Sequence, residues 1–238
     1  PAAALARPSS ATGSPPSAPT VNHAELPELA GPFSSGPEVT KACLSCHTEA
    51  AKQVQETVHW TWTYAHPETG QRLGKRWVTN SFCGNVRTNE PRCTSCHNGY
   101  GWEDEGFDFE DETLVDCLSC HDTTGTYTKA PKGAGRVLEE ETTVHGETLE
   151  PPDLGYVARH VGAPTREACG SCHFNGGGGD GSKHGDLDSS LIDPPRGLSV
   201  HMSSDGADLA CQGCHVTRGH QMAGGRYEMT ARDREGTG

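Results

Sequence analysis

Cys43-Leu-Ser-Cys46-His47 sets two thiols three residues apart and an imidazole directly after the second. The spacing returns as Cys93-Thr-Ser-Cys96-His97, Cys117-Leu-Ser-Cys120-His121, Cys169-Gly-Ser-Cys172-His173 and Cys211-Gln-Gly-Cys214-His215. In a c-type haem site, two cysteines form thioethers with the vinyl groups and the adjacent histidine is held under the iron. The spacing suits this because one turn of chain reaches both vinyls and the metal. Zinc is the alternative, since CxxC pairs supply thiolates. Histidine makes up 13 of 238 residues. By chance it would follow all five pairs about 5 × 10⁻⁷ of the time, so the histidine belongs to the motif. Paired disulfides fail on the same ground. Five covalently bound haems are expected.

The rest of the composition agrees. Only 32% of the chain is hydrophobic, mean hydropathy is −0.65, and 30 glycines and 16 prolines dilute the apolar residues further. Side chains this sparse leave a core that a large, covalently bound apolar group can complete. The predicted fold is mostly α with extensive loops, a multihaem cytochrome c whose core is built around five haems. A net charge of −13 argues against a nucleic-acid partner. No apolar run approaches the roughly 18 residues of a membrane span. The chain opens at Pro1 without methionine, the pattern of a mature or truncated product. Haem attachment of this type is completed outside the cytoplasm, which places the protein in the periplasm or beyond.

Three segments are expected: a Pro/Ala/Ser-rich disordered leader or linker over 1–22, a five-haem domain over 23–225 and a tail over 226–238. His47, Ala51, Val54 and Val58 share one face of a predicted helix running towards Trp60, with Pro67 ending it by His66. Segments 176–179 and 193–197 read as loops, and no alternating apolar run is long enough for a sheet. The motifs open at gaps of 50, 24, 52 and 42 residues, too irregular for a solenoid.

Eight histidines lie outside the motifs. His59, His66, His145, His160, His184, His201 and His220 are the candidate second axial ligands. His23, beside the linker, is a further but less favoured candidate. Met202, Met222 and Met229 are less favoured. Cys83 is the odd cysteine, either a small buried hydrophobe or a reactive sulfur beside a haem. Seven acids in the run 103–112 make a solvated face or, as hard oxygen ligands in a loop, a calcium site.

Several stretches resemble the octahaem tetrathionate reductase family. They are Gly36-Pro-Glu-Val-Thr-Lys-Ala-Cys-Leu-Ser-Cys-His47, Asn89-Glu-Pro-Arg-Cys-Thr-Ser-Cys-His-Asn-Gly-Tyr-Gly-Trp102, Cys117-Leu-Ser-Cys-His-Asp-Thr-Thr-Gly-Thr-Tyr127 and the run from Cys169 through Asp180-Gly-Ser-Lys183 to Asp188. The likeness covers roughly residues 30 to 225 and extends beyond the haem signatures. It implies a periplasmic respiratory reductase acting on tetrathionate, nitrite or hydroxylamine at the second haem in sequence order. It also implies that Lys183 ligates that haem and that Cys83 and Asp180 face the pocket. The family carries eight haems, whereas this chain holds five motifs.

Two functions follow as expectations. In the first, electrons enter through bis-histidine haems and reach a small sulfur or nitrogen compound at the second haem. In the alternative, the chain is a conduit without substrate, a redox subunit of a larger complex or an extracellular cytochrome polymer. Expected partners are redox proteins, a small inorganic substrate, and further copies or haem-bearing chains.

Overall fold

The computed structural model describes residues 21–66, 68–77, 85–144, 146–174, 180 and 187–223. Cys83, His145, Lys183, His184, Met229 and the loop 176–179 lie outside the described residues, as do the first twenty positions.

Turn residues keep every helix short. The helices are α1 (Gly36–Leu44), α2 (Ala50–Gln55), α3 (Val58–Thr61), α4 (Glu90–Cys93), α5 (Leu118–His121), α6 (Leu154–Arg159) and α7 (Arg166–His173). Pro37 occupies the first turn of α1, where its missing N–H would have had no helical partner. Side chains close the N-termini of α6 and α7. Asp153 accepts from Tyr156 N at 2.9 Å and Thr165 accepts from Ala168 N at 3.1 Å. Strands occur among the described residues as three two-stranded antiparallel hairpins and no larger sheet. These pair β1 (Tyr64–Ala65) with β2 (Arg72–Leu73), β3 (Thr142–Val144) with β4 (Glu147–Leu149), and β5 (Thr217–Arg218) with β6 (Gln221–Met222). The loop at 193–197 carries neither helix nor strand.

The helix predicted from His47 to Trp60 is instead two. Thr57 takes an extended conformation between α2 and α3, and its hydroxyl donates to Val54 O at 2.7 Å. That bond ends the first helix, because a β-branched residue with a local acceptor competes with the helical ladder. Ala51, Val54 and Trp60 are buried as the periodicity implied, but Val58 is exposed. Trp62, in the left-handed region at φ 49°, then stops α3 well short of His66.

Apolar side chains form three small clusters. One gathers Leu29, Val39, Tyr100, Leu118, Val137, Leu154, Val157 and Ala158, joining α1, α5 and α6. A second holds Ala51, Val54, Trp60 and Val115, and a third holds Trp62, Val86 and Trp102. The Thr40 hydroxyl ties α1 to the segment ahead of α5 through Val115 O at 2.6 Å. No helix among the described residues is long and apolar enough to cross a membrane.

Candidate functional site

Each motif occupies about one helical turn. His47, His121 and His215 close amide bonds back to Cys43, Cys117 and Cys211 at 2.9, 3.1 and 2.9 Å. The fourth motif is the last turn of α7. Positions i, i+3 and i+4 of a turn share a face, so both thiols and the imidazole present together. The second motif differs, closing by a tighter bond from His97 N to Thr94 O at 2.8 Å.

The motifs are neighbours in space. The Cys43 and Cys117 thiols are close neighbours, as are Cys96 with Cys172 and Cys169 with Cys211. Helix α5 also packs on α7. The first motif thus touches the third, the third the fourth, and the fourth both the second and the fifth. Arg166 fixes the last of these contacts. Its guanidinium donates to Asp208 at 2.9 Å, to Leu209 O at 3.0 Å and to Ile192 O at 2.9 Å, tying the start of α7 to the chain before Cys211. All ten motif cysteines are free of disulfides.

Three motif histidines face a second imidazole. His47 lies opposite His23 with ring centres 6.2 Å apart, His173 opposite His59 at 6.3 Å, and His121 opposite His220 at 6.4 Å. Two metal–imidazole bonds of about 2.0 Å, with each ring centre about 1.15 Å behind its nitrogen, separate the centres by about 6.3 Å. The spacing therefore fits one iron between each pair. The outer nitrogens fit as well. His121 Nδ1 meets Gly162 O at 2.8 Å, His220 Nδ1 meets Gln53 Oε1 at 2.9 Å, and His215 Nδ1 meets Ala223 O at 3.1 Å. An acceptor on Nδ1 keeps the proton there and leaves Nε2 for a metal. Burial, then the neighbouring His173, depresses His59 to about 4, so it stays neutral and able to ligate at neutral pH.

The other candidates are arranged differently. His160 directs Nδ1 to Tyr156 O at 2.7 Å and packs on the Tyr156 ring. His66 uses Nδ1 as the acceptor for the amides of Glu68 and Thr69, both at 3.3 Å, which leaves its proton on Nε2. His201 is exposed. Asp180 is exposed and accepts from Ser189 Oγ at 2.6 Å. The sequence reading ranked His23 below the other free histidines because it borders the linker. Asn22 caps the first turn at His23–Glu25, and only that tertiary placement brings the ring opposite His47.

His97 is fully buried. Trp60, Trp102, Phe107, Trp62 and Phe109 surround it with ring centres at 4.9, 4.9, 5.4, 5.5 and 6.1 Å. Nε2 lies 2.7 Å from Trp60 O, and Nδ1 has no partner. Desolvation pushes this imidazole down to about 3 despite that carbonyl. The cage closes tightly at Gly99, where an added Cβ would lie 2.6 Å from the Trp60 ring.

The acid run 103–112 is largely engaged locally. Glu103 pairs with Arg136, and Glu105 with Arg87 at 2.9 Å. Asp104, Asp108 and Asp111 accept from the amides of Gly106, Glu110 and Thr113. No three potential His, Cys, Asp or Glu ligands converge among the described residues. A zinc or calcium cage would need such a group. A haem iron needs only two protein ligands, because the macrocycle supplies the others.

Repeated CxxCH turns, contiguous motifs and paired imidazoles define a multihaem c-type cytochrome, and haem c is its cofactor. The comparisons agree. The family described as cytochrome c554 and c-prime matches residues 42–122. An octaheme cytochrome c from Shewanella oneidensis superposes with a TM-score of 0.73 at 47% sequence identity, over 86% of this chain. The chain spans 43% of that protein's length. No curated protein matches.

Proposed function

We propose that the chain carries five covalently attached haems, passes electrons along them, and reduces a small sulfur or nitrogen compound at the second. Thioethers form at the ten motif cysteines. The axial pairs supported by geometry are His47 with His23, His121 with His220, and His173 with His59. His215 takes one of the remaining histidines. Bound haem supplies one-electron chemistry at iron, tuned by axial ligand and surroundings. The chain's own residues do the rest: imidazole pairs close three sites to exogenous ligands, and aromatic rings keep water from the second.

One observation carries the reading. The second motif alone combines a fully buried histidine with an Nε2 committed to a carbonyl, whereas three others meet partner imidazoles at 6.2–6.4 Å. With Nε2 held by Trp60 O, His97 is not presented to a metal as His47, His121 and His173 are, which supports a different ligand set at this haem. The resemblance to the octahaem tetrathionate reductases adds Lys183 as a ligand there, with Cys83 and Asp180 beside the substrate. A neutral lysine amine is required, and metal binding favours it. For tetrathionate, two electrons break the central S–S bond and release two thiosulfates, with no proton needed. Export to the periplasm or beyond belongs to the same reading.

Lys183→Ala tests it. The substitution should perturb one haem of five in the optical and EPR spectra and lower turnover with tetrathionate, nitrite or hydroxylamine. Unchanged spectra together with five six-coordinate haems would leave the conduit reading in its place.

A further inference from the structure

Two lysines hold the second motif by its ends. Lys75 Nζ donates to the carbonyl of Cys93 at 3.1 Å, and Lys129 Nζ donates to the carbonyl of His97 at 2.7 Å. A third cation, Arg76, lies over the Phe109 ring at 4.4 Å, on the aromatic cage around His97. The chain carries a net charge of −13, so this local concentration of positive charge runs against the whole.

The third motif meets the opposite sign. Asp116 immediately precedes Cys117, is fully buried, and accepts from Ser119 N inside the motif at 3.0 Å. Its carboxylate also takes the Tyr100 hydroxyl at 2.9 Å and the Tyr127 hydroxyl at 3.0 Å. Lys129 and Asp116 form an ion pair at 2.9 Å. One buried dipole thus spans the two motifs, its cation on the second and its anion on the third.

Burying two ions is costly unless their geometry is good. This pair meets that condition with four further hydrogen bonds, and its direction has a consequence for any redox groups beside it. A fixed cation favours the reduced state of a nearby iron, and an anion favours the oxidised state. At an effective dielectric of about 20, a unit charge roughly 10 Å away changes a reduction equilibrium by about tenfold.

We propose that Lys75 and Lys129 make the second haem easier to reduce, and that Asp116 makes the third harder to reduce, so that electrons run from the third towards the second. The inference rests on the proposed placement of haems at these motifs and of electron exit at the second.

The test is an EPR-monitored redox titration of the fully haem-loaded protein. Lys75→Gln keeps a donor for Cys93 O at a partly exposed site and removes the charge. It should disfavour reduction of one haem severalfold, and Lys75→Arg should restore it. Lys129→Gln should disfavour reduction of the same haem about tenfold, equivalent to 59 mV for one electron. The pair Asp116→Asn with Lys129→Gln avoids an uncompensated buried charge and should narrow the gap between two haems. If Lys129→Gln does not fold, Lys75→Gln decides. Potentials unmoved by the charge-removing variants, or five haems shifting alike, would overturn the proposal. Failure of the catalytic reading looks different: the potential responds to Lys75 and Lys129, while Lys183→Ala leaves spectra and turnover unchanged.

Discussion

At the first, third and fourth motifs the histidine meets a second imidazole across a gap that fits one metal ion. At the second motif the histidine is enclosed by five aromatic rings and bonded to a backbone carbonyl. The same five-residue signature thus produces two environments. The signature secures attachment, and distant residues decide what the attached group does. The partners His23 and His220 come from near the two ends of the described chain and His59 from α3, while the cage of the second motif comes from 60–62 and 102–109.

The contrast can be broken by substitution. The largest expected effect comes from Asp116→Ala, which leaves the Lys129 ammonium buried without its partner and removes acceptors from two tyrosines and Ser119. A loss of about 5 kcal/mol is expected, read as a large fall in Tm. Trp60→Ala comes next. It empties the tightest wall of the cage, costs about 4 kcal/mol, and should alter the spectrum of the second haem while sparing the paired sites. A perturbation spread over all five would contradict the separation of the two environments.

Acid acts on the same cage. The folded value of His97, about 3, lies below its usual 6.5. The unfolded chain therefore binds the extra proton first. The contribution of His97 to stability is complete above pH 6.5 and falls as pH drops from there towards 3. On the order of 3 kcal/mol is lost by pH 4. Tm measured from pH 7 to pH 4 should decline, and more weakly in Trp60→Ala, where water reaches the ring. The smallest effect on stability belongs to His23→Ala. The side chain is half-buried and the fold should change by less than about 0.5 kcal/mol. One low-spin haem should nevertheless become exchangeable, whereas His201→Ala should leave all five as they are.

What was legible in the sequence follows from this division. The five CxxCH turns, the scarcity of core side chains and the absence of a large sheet are local or compositional properties, and the described structure carries them. The helix read from His47 to Trp60 failed at Thr57, because periodicity does not register a hydroxyl that caps the preceding turn. His23 was ranked below the other free histidines because its role depends on a tertiary placement beside His47. Lys75, Lys129 and Asp116 gave no signal either: nothing at 116 or 129 announces a pair that closes over thirteen residues, and a lysine among glycines and arginines reads as surface. Cys83 stood out as the odd cysteine and Lys183 only through the family resemblance, and both lie outside the described residues.

The most direct test of the contrast is the EPR spectrum of the oxidised, fully haem-loaded protein, recorded before and after adding nitrite. Four signals of bis-imidazole low-spin iron should be present and insensitive to nitrite, and a single different signal should change on its addition. Five bis-imidazole signals that nitrite leaves untouched would contradict the account.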